Sequence, residues 1–321
     1  MSATVGISIV NYKTARLVID CLISLEAEQS ATLPLQVIVV DNDSRDGSFE
    51  TLIQFITERE WQSWIEIIAA EKNGGYSYGN NIAIKKLMAT DCKCIWLLNP
   101  DTQILPGAAR ELINALESHP DTGIAGSRLE DPDGTPQISA FNFPTPSGEF
   151  INTANIGIID KLFPRLLIRK PIATHIEPAD WVAGASMMLK AELIKKIGPM
   201  DEHYFLYYEE VDYCQEAQRA GFGVLYVPTS RVIHQVGAAT GISDHRKTAP
   251  RRPAYWFESR QRFFRKQYGV CGLLIADIAW ITAFGLSKTK AQLRREKLNM
   301  PPHFFKDFMK NSLLCKWTLL K

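Results

Sequence analysis

An α/β fold with a mostly parallel central sheet flanked by helices, followed by a helical C-terminal extension, is what this sequence predicts. Three observations predict it. Four apolar runs of strand length, at residues 5–10, 35–40, 64–69 and 95–98, each stop at turn-forming residues. Segments with helical spacing of apolar side chains fill the intervals between them. Helices alternating with buried-type strands imply right-handed crossovers, which carry several strand ends to one edge of the sheet. The chain has 321 residues, 46% hydrophobic and 22% charged, enough for one large domain or two modest ones. Its formal net charge of +1 gives no global electrostatic case for a nucleic-acid partner.

The elements follow in order. After the first run, residues 16–25 place Leu17, Cys21, Leu22 and Leu25 on one helical side. The second run ends in Asp41-Asn-Asp-Ser-Arg-Asp-Gly47, and residues 51–59 are helical. After the third run, Asn73-Gly-Gly-Tyr-Ser-Tyr-Gly-Asn-Asn81 is a glycine-rich turn entering a helix that reaches about Met88. The fourth run ends in Asn99-Pro-Asp101, and Pro100 cannot extend a central strand. A helix at 106–117 and a short strand at 124–127 follow, then a variable loop region from 137 to 173. Residues 181–189 form one buried strand, 191–197 a helix, 209–220 a helix stopped by Gly221, 223–227 a strand, and 231–236 an extended segment carrying His234.

Several of these residues point to chemistry. Asp101, fixed where a strand ends, suits a divalent cation set against a diphosphate, although Asn-Pro-Asp is also good turn chemistry. Asp41 at a second strand end can accept hydrogen bonds from a ribose or base, or simply cap the next segment. The glycine-rich turn permits backbone approach to a phosphate at a helix N-terminus, but matches neither standard nucleotide fingerprint. Tyr207-Tyr-Glu-Glu-Val-Asp212 sets three carboxylates within four positions. Like charges that close raise one another's pKa, and one of them can serve as general base. His234 reads either as a packed histidine or as a partner of Asp101 at a metal.

Taken together, these motifs resemble family 2 glycosyltransferases with the GT-A fold, in the bacterial rhamnosyltransferase branch. The resemblance rests on Ile7-Ser-Ile-Val-Asn-Tyr12, Val39-Val-Asp-Asn42, Asn73-Gly-Gly-Tyr76 with Asn80-Asn81, Leu98-Asn-Pro-Asp-Thr102, Gly184-Ala-Ser-Met-Met-Leu189, Gly198-Pro-Met-Asp-Glu202, Phe205-Leu-Tyr-Tyr-Glu-Glu-Val-Asp212, and His234 with Gly237. It covers about residues 5–268, and the order and spacing of the motifs are more specific than any one of them. It implies a GT-A domain over 1–245 with a basic helical extension over 246–321. It implies inverting transfer of a sugar, L-rhamnose from dTDP-rhamnose being favoured over a UDP-hexose, to a hydroxyl of a glycan or lipid-linked acceptor. The nucleotide would meet Asn11, Tyr12, Asp41, Asn73, Gly75, Asn80 and Asn81, and the diphosphate Asn99 and Asp101. Trp181, Gly184 and Ala185 would lie on the acceptor side. Mg²⁺ or Mn²⁺ would sit on Asp101 and His234; the family's first metal-motif acid is Asn99 here. Glu210 takes the place of the catalytic base with one methylene more than the usual aspartate, Asp212 is the fallback, and Glu209 stands beside them.

Six cysteines without metal-type spacing fit reduced thiols, and the N-terminus shows no signal-peptide pattern, so a cytoplasmic location is expected. Basic residues crowd the segment after Arg246, around an apolar run at 271–286 that is shorter than the roughly 20 residues needed to span a bilayer. Two readings of this end stand side by side: an amphipathic helix on the inner membrane surface, or a helical cap with a homodimer contact.

Overall fold

The computed structural model describes residues 5–30, 33–154, 156–235, 250–298 and 300–318; Gly237 and Arg246 lie outside these. The chain divides into two compact units. The first comprises 1–140, 171–205 and 209–241, and the second 141–170, 206–208 and 242–321.

The first unit opens with β1 (Val5–Asn11), α1 (Ala15–Glu26), β2 (Leu35–Asp41), α2 (Ser48–Glu58), β3 (Ile65–Ala69), α3 (Gly75–Leu87) and β4 (Cys94–Leu98). This is the predicted alternation. β2 buries six of its seven residues, and the central β1 buries all but Val10, which is why they read as continuous apolar runs rather than alternating ones. In α1 the side chains of Val18, Cys21, Leu22 and Leu25 recur at helical spacing and are fully buried against the sheet. β5 (Thr102–Ile104), α4 (Ala108–Ser118) and β6 (Thr122–Glu130) continue the chain, and β7 (Ala140–Phe141) is a short strand outside the main sheet.

The second unit receives α5 (Pro146–Ala154), α6 (Gly157–Leu162) and the 3-10 turn Pro164–Leu166. The variable loop expected at 137–173 is therefore corrected in part: it carries two helices and a 3-10 turn among its loop residues. Its pattern was concealed because the buried face of α5 carries the carboxylate Glu149 among Gly148, Ile151 and Ala154. The first unit then resumes with β8 (Glu177–Pro178), β9 (Trp181–Val182), β10 (Ser186–Lys190), α7 (Ala191–Ile197), α8 (Glu209–Arg219) and β11 (Gly223–His234). Two expectations change here. The single strand at 181–189 is broken, because Ala183, Gly184 and Ala185 form a turn between β9 and β10. The segment at 223–227 and the residues 231–234 of the second segment are one strand, β11, irregular between Val227 and Arg231, and Val236 lies outside the described residues.

The sheet has nine strands in the order β3-β2-β1-β4-β10-β6-β11-β5, with β8 on β11. β1, β2, β3 and β4 are parallel neighbours; β10 runs antiparallel between β4 and β6, and β11 lies parallel to β6. Two antiparallel steps restore the direction, so β1–β4, β6 and β11 all end at the same edge. Open α/β sheets bind ligands at that edge.

In the second unit α9 (Ala254–Arg294) runs for 41 residues, with Gly269 leaving helical geometry at φ 70°. The apolar run at 271–286 lies in the helical segment that follows this kink and continues to Arg294. α10 (Phe304–Asn311) and α11 (Leu313–Thr318) complete it. Phe257, Trp280, Phe304 and Phe308 form its aromatic core, with the Trp280 and Phe308 rings stacked at 3.9 Å. Arg260 is buried between two carboxylates, 2.6 Å from Glu149 and 2.7 Å from Asp277.

Candidate active site

At the carboxyl edge, Asn11 and Asp41 end adjacent strands in register. The Asn11 amide donates to Asp41 Oδ1 at 2.6 Å, and Ser44 donates to the same carboxylate through both its hydroxyl (2.6 Å) and its backbone N–H (3.1 Å). Asp41 is thus an acceptor locked in one orientation. Tyr12, just past β1, leaves its ring 41% exposed. Lys13, Asp43 and Arg45 adopt left-handed backbone in these two loops, a cost usually accepted near functional sites. The Asn42 amide donates to Asn73 Oδ1 and to the Gly75 carbonyl, both at 3.0 Å, while its own Oδ1 is buried with no hydrogen-bond partner among the described residues.

The glycine-rich turn has a steric reason for Gly75. Its φ is +85°, and a Cβ there would collide with the Phe205 carbonyl, which accepts from Tyr76 N–H at 2.9 Å. Asn80 and Asn81 are engaged inside the protein. Asn80 accepts from Ser8 Oγ at 2.7 Å, and Asn81 ties the Met200 backbone and Glu202. Trp181 is half-buried at the start of β9.

β4 delivers Asn99 and Asp101. The Asn99 N–H donates to the Ala185 carbonyl at 3.0 Å, and Thr102 Oγ1 donates to the Asn99 carbonyl at 2.7 Å. Gln235 N–H donates to the Asp101 carbonyl, and His234 Nε2 stands 3.4 Å from Asp101 Oδ1. The pair comes together because His234 lies opposite Thr102 in the β11–β5 register. A carboxylate beside an imidazole offers two of the donors a divalent cation such as Mn²⁺ can take. Among the described residues no cluster of three or more metal-ligating side chains forms.

The turn before β10 joins this region to the acidic start of α8. Tyr76 Oη donates to the Gly184 carbonyl at 2.7 Å. A Cβ placed on Gly184 would stand 3.3 Å from Tyr76 Oη and 3.5 Å from Glu210 Cβ. Asn99 and Glu210 therefore contact consecutive residues, Ala185 and Gly184. Glu209 is buried and Glu210 half-buried, and Oε2 of each is enclosed with no hydrogen-bond partner among the described residues. Burial pushes the Glu210 carboxyl up to about 7, against the opposing pull of backbone N–H donors. Burial, and then the charge on Glu210, hold the Glu209 carboxyl well above the usual range. Asp212 faces the interior and accepts from Tyr204 Oη at 3.2 Å. The sequence reading passed over Ser44 as the anchor of Asp41, although the Asp-x-x-Ser spacing signals a side-chain turn.

The match to known proteins decides the family. Residues 5–174, more than half the chain, fit the model of glycosyl transferase family 2. The chain belongs to that family. Among curated relatives, this glycosyltransferase is 27% identical over 221 residues to the N-acetylglucosaminyl-diphospho-decaprenol L-rhamnosyltransferase of Mycobacterium tuberculosis, covering 65% of this chain and 69% of that one. It is 28% identical over 168 residues to the rhamnosyltransferase WbbL of Escherichia coli, covering 50% and 60%. Its similarity within the family thus runs to the rhamnosyltransferase branch. Among solved structures, the fold matches GalNAc-T7 with UDP, GalNAc and Mn²⁺ at a TM-score of 0.62 and 14% identity, over all of this chain and 56% of that one.

Proposed function

We propose that this glycosyltransferase moves L-rhamnose from dTDP-rhamnose to a hydroxyl of a lipid-linked glycan, with inversion at the anomeric carbon. The similarity to a relative named for rhamnosyl transfer onto a decaprenol-linked sugar supports this donor and acceptor class. The observation that carries the chemistry is Glu210: a carboxyl raised to about 7, beside Gly184, with one enclosed oxygen that has no hydrogen-bond partner among the described residues. A base with that affinity for a proton is matched to neutral pH.

In the proposed step, Glu210 takes the proton of the acceptor hydroxyl. The acceptor oxygen bonds to the anomeric carbon as the bond from that carbon to the diphosphate oxygen breaks. Nucleoside diphosphate leaves, and no enzyme nucleophile is required. Asp212 is less suited to the base role because it is engaged by Tyr204 in the interior. Burial, and then the charge on Glu210, favour the protonated form of Glu209 beside the base. The rigid Asp41 carboxylate and the exposed Tyr12 ring would receive the nucleoside by hydrogen bond and stacking. Asp101 and His234 would hold the divalent cation, which when bound neutralises charge on the departing diphosphate.

The test is a thermal-shift screen of nucleoside diphosphates and their sugars, with and without Mn²⁺. dTDP and dTDP-rhamnose should raise Tm most, followed by rhamnosyl transfer to a lipid-linked acceptor. Stabilisation by UDP-sugars alone would reassign the donor, and stabilisation by none of them would remove the donor site from this edge.

A further inference from the structure

Two stripes run along α9 after Gly269, and among the described residues only one is occupied. Leu273, Ala276, Asp277, Trp280, Ala283 and Ser287 recur at helical spacing and are buried within the second unit. Trp280 stacks on Phe308, Asp277 pairs with Arg260, and Ser287 Oγ donates to the Thr153 carbonyl at 2.6 Å. The other stripe, Cys271, Ile275, Ile278, Thr282, Leu286 and Leu293, has the same spacing and is exposed, with Ile275 at 56% and Leu293 at 82%. At 1.5 Å per residue it is about 33 Å long.

Charge says what covers it. Between residues 259 and 295 the sole acid is Asp277, which is buried against Arg260. Arg265 and Lys266 precede the exposed stripe, and Lys288, Arg294 and Arg295 cluster at its far end. A second copy of this helix, parallel or antiparallel, would set cationic ends against cationic ends with no acid between them. An anionic surface meets an apolar stripe and cations at both ends at once. The helix does not suit a transverse path through a bilayer, because its opposite face is committed to protein and carries the Arg260–Asp277 pair.

We propose that the stripe from Cys271 to Leu293 lies in the headgroup layer of an anionic membrane, holding the enzyme peripherally on its surface. This inference does not depend on the sugar donor, the acceptor or the role of Glu210.

The experiment sediments the full chain with vesicles of equal parts phosphatidylglycerol and phosphatidylcholine, and with pure phosphatidylcholine. The unaltered chain should pellet with the anionic vesicles and be released as salt rises. Ile275→Asp with Ile278→Asp, both on exposed positions, should reduce partitioning about tenfold or more at unchanged Tm. Lys288→Glu with Arg294→Glu should weaken binding to the anionic vesicles while leaving the weak neutral background unchanged. Nucleotide-induced Tm shifts should be unaltered in both, which separates failure of membrane binding from failure of the transferase reading. An unaltered chain that stays in the supernatant with anionic vesicles overturns the proposal. So does a dimer, measured by sedimentation velocity, that the Ile275→Asp, Ile278→Asp variant dissociates.

Discussion

His234 Nε2 stands 3.4 Å from Asp101 Oδ1, across 133 positions of sequence, because β11 pairs with β5 one residue after the end of the β4 loop. Neither residue specifies a metal by itself. In the proposed reading, the carboxylate and the imidazole, held together by sheet register at the edge where six strands end, would act as a small preorganised donor set. Asp101→Asn keeps the shape and removes the charge. It should abolish the additional Tm rise that Mn²⁺ gives over dTDP alone, each protein being compared with its own Tm without Mn²⁺ so that any stability change at this buried position cancels. A preserved Mn²⁺ increment would take the cation away from Asp101.

Glu210→Gln is expected to lower kcat by about 10² to 10⁴, the range associated with loss of a general base. Donor affinity, measured by calorimetry with the nucleoside diphosphate, should remain within about twofold, because the amide is isosteric and no step of binding needs the proton acceptor. Normal turnover would move the base to another carboxyl, and Asp212 would have to leave Tyr204 to serve.

The pH dependence follows from the same carboxyl. Between the ordinary value of 4.5 and the folded value of about 7, the native protein keeps a proton on Glu210 that the unfolded chain has released. Stability therefore falls as pH rises through that window. Glu210→Gln should flatten the fall in Tm between pH 4.5 and 8, leaving the part contributed by Glu209. For the unaltered enzyme kcat/KM should rise with pH to a plateau above about 7 as the base ionises. Parallel Tm profiles for the two proteins would show that the Glu210 carboxyl is not raised.

Much of the fold was legible because its central strands are buried on both faces and their ends carry turn residues. β2 and β4 could hardly be read otherwise, and Asp41 and Asp101 were placed with them. The acidic run at the start of α8 was legible, but only the family resemblance singled out Glu210 within it, and its surroundings were not legible. The Tyr76–Gly184 hydrogen bond joins residues 108 positions apart, and no periodicity announces it. The turn at 183–185 was hidden inside an apolar stretch because Ala and Gly pass for small strand residues. In the second unit, α5 and Arg260 concealed each other. A carboxylate on a buried helix face spoils the apolar pattern, and an arginine in a basic segment reads as surface, although Arg260 is 2% exposed.

Gly184→Ala tests how the turn before β10 serves the base. The added methyl would stand 3.3 Å from Tyr76 Oη, which must give by a few tenths of an ångström, and at an ordinary contact distance of 3.5 Å from Glu210 Cβ, so any effect on the base comes through Tyr76. Gly184 has no positive φ, so the backbone itself tolerates alanine. The expectation is a change in stability of about 1 kcal/mol or less with a fall in kcat of about 10-fold to 10²-fold, since small misplacements of a reacting group are costly. Unchanged kcat would mean that the Gly184 face does not touch the reacting pair.

Arg260 offers the sharpest stability test. Its guanidinium donates to Glu149 through Nε and Nη2 and to Asp277 through Nη1, and Asp277 Oδ2 also accepts from Leu313 N–H. The side chain is packed against the rings of Phe264 and Phe308, each 4.8 Å away. Arg260→Met fills much of the volume but strands two buried carboxylates, a change that costs about 3–5 kcal/mol when one partner of a buried pair is removed. Urea unfolding of the full chain should show that loss. Adding Glu149→Gln and Asp277→Asn to Arg260→Met should recover part of it, because the stranded charges, rather than the lost contacts, carry most of the penalty. If the triple variant is no more stable than Arg260→Met alone, packing on the two rings is what Arg260 contributes.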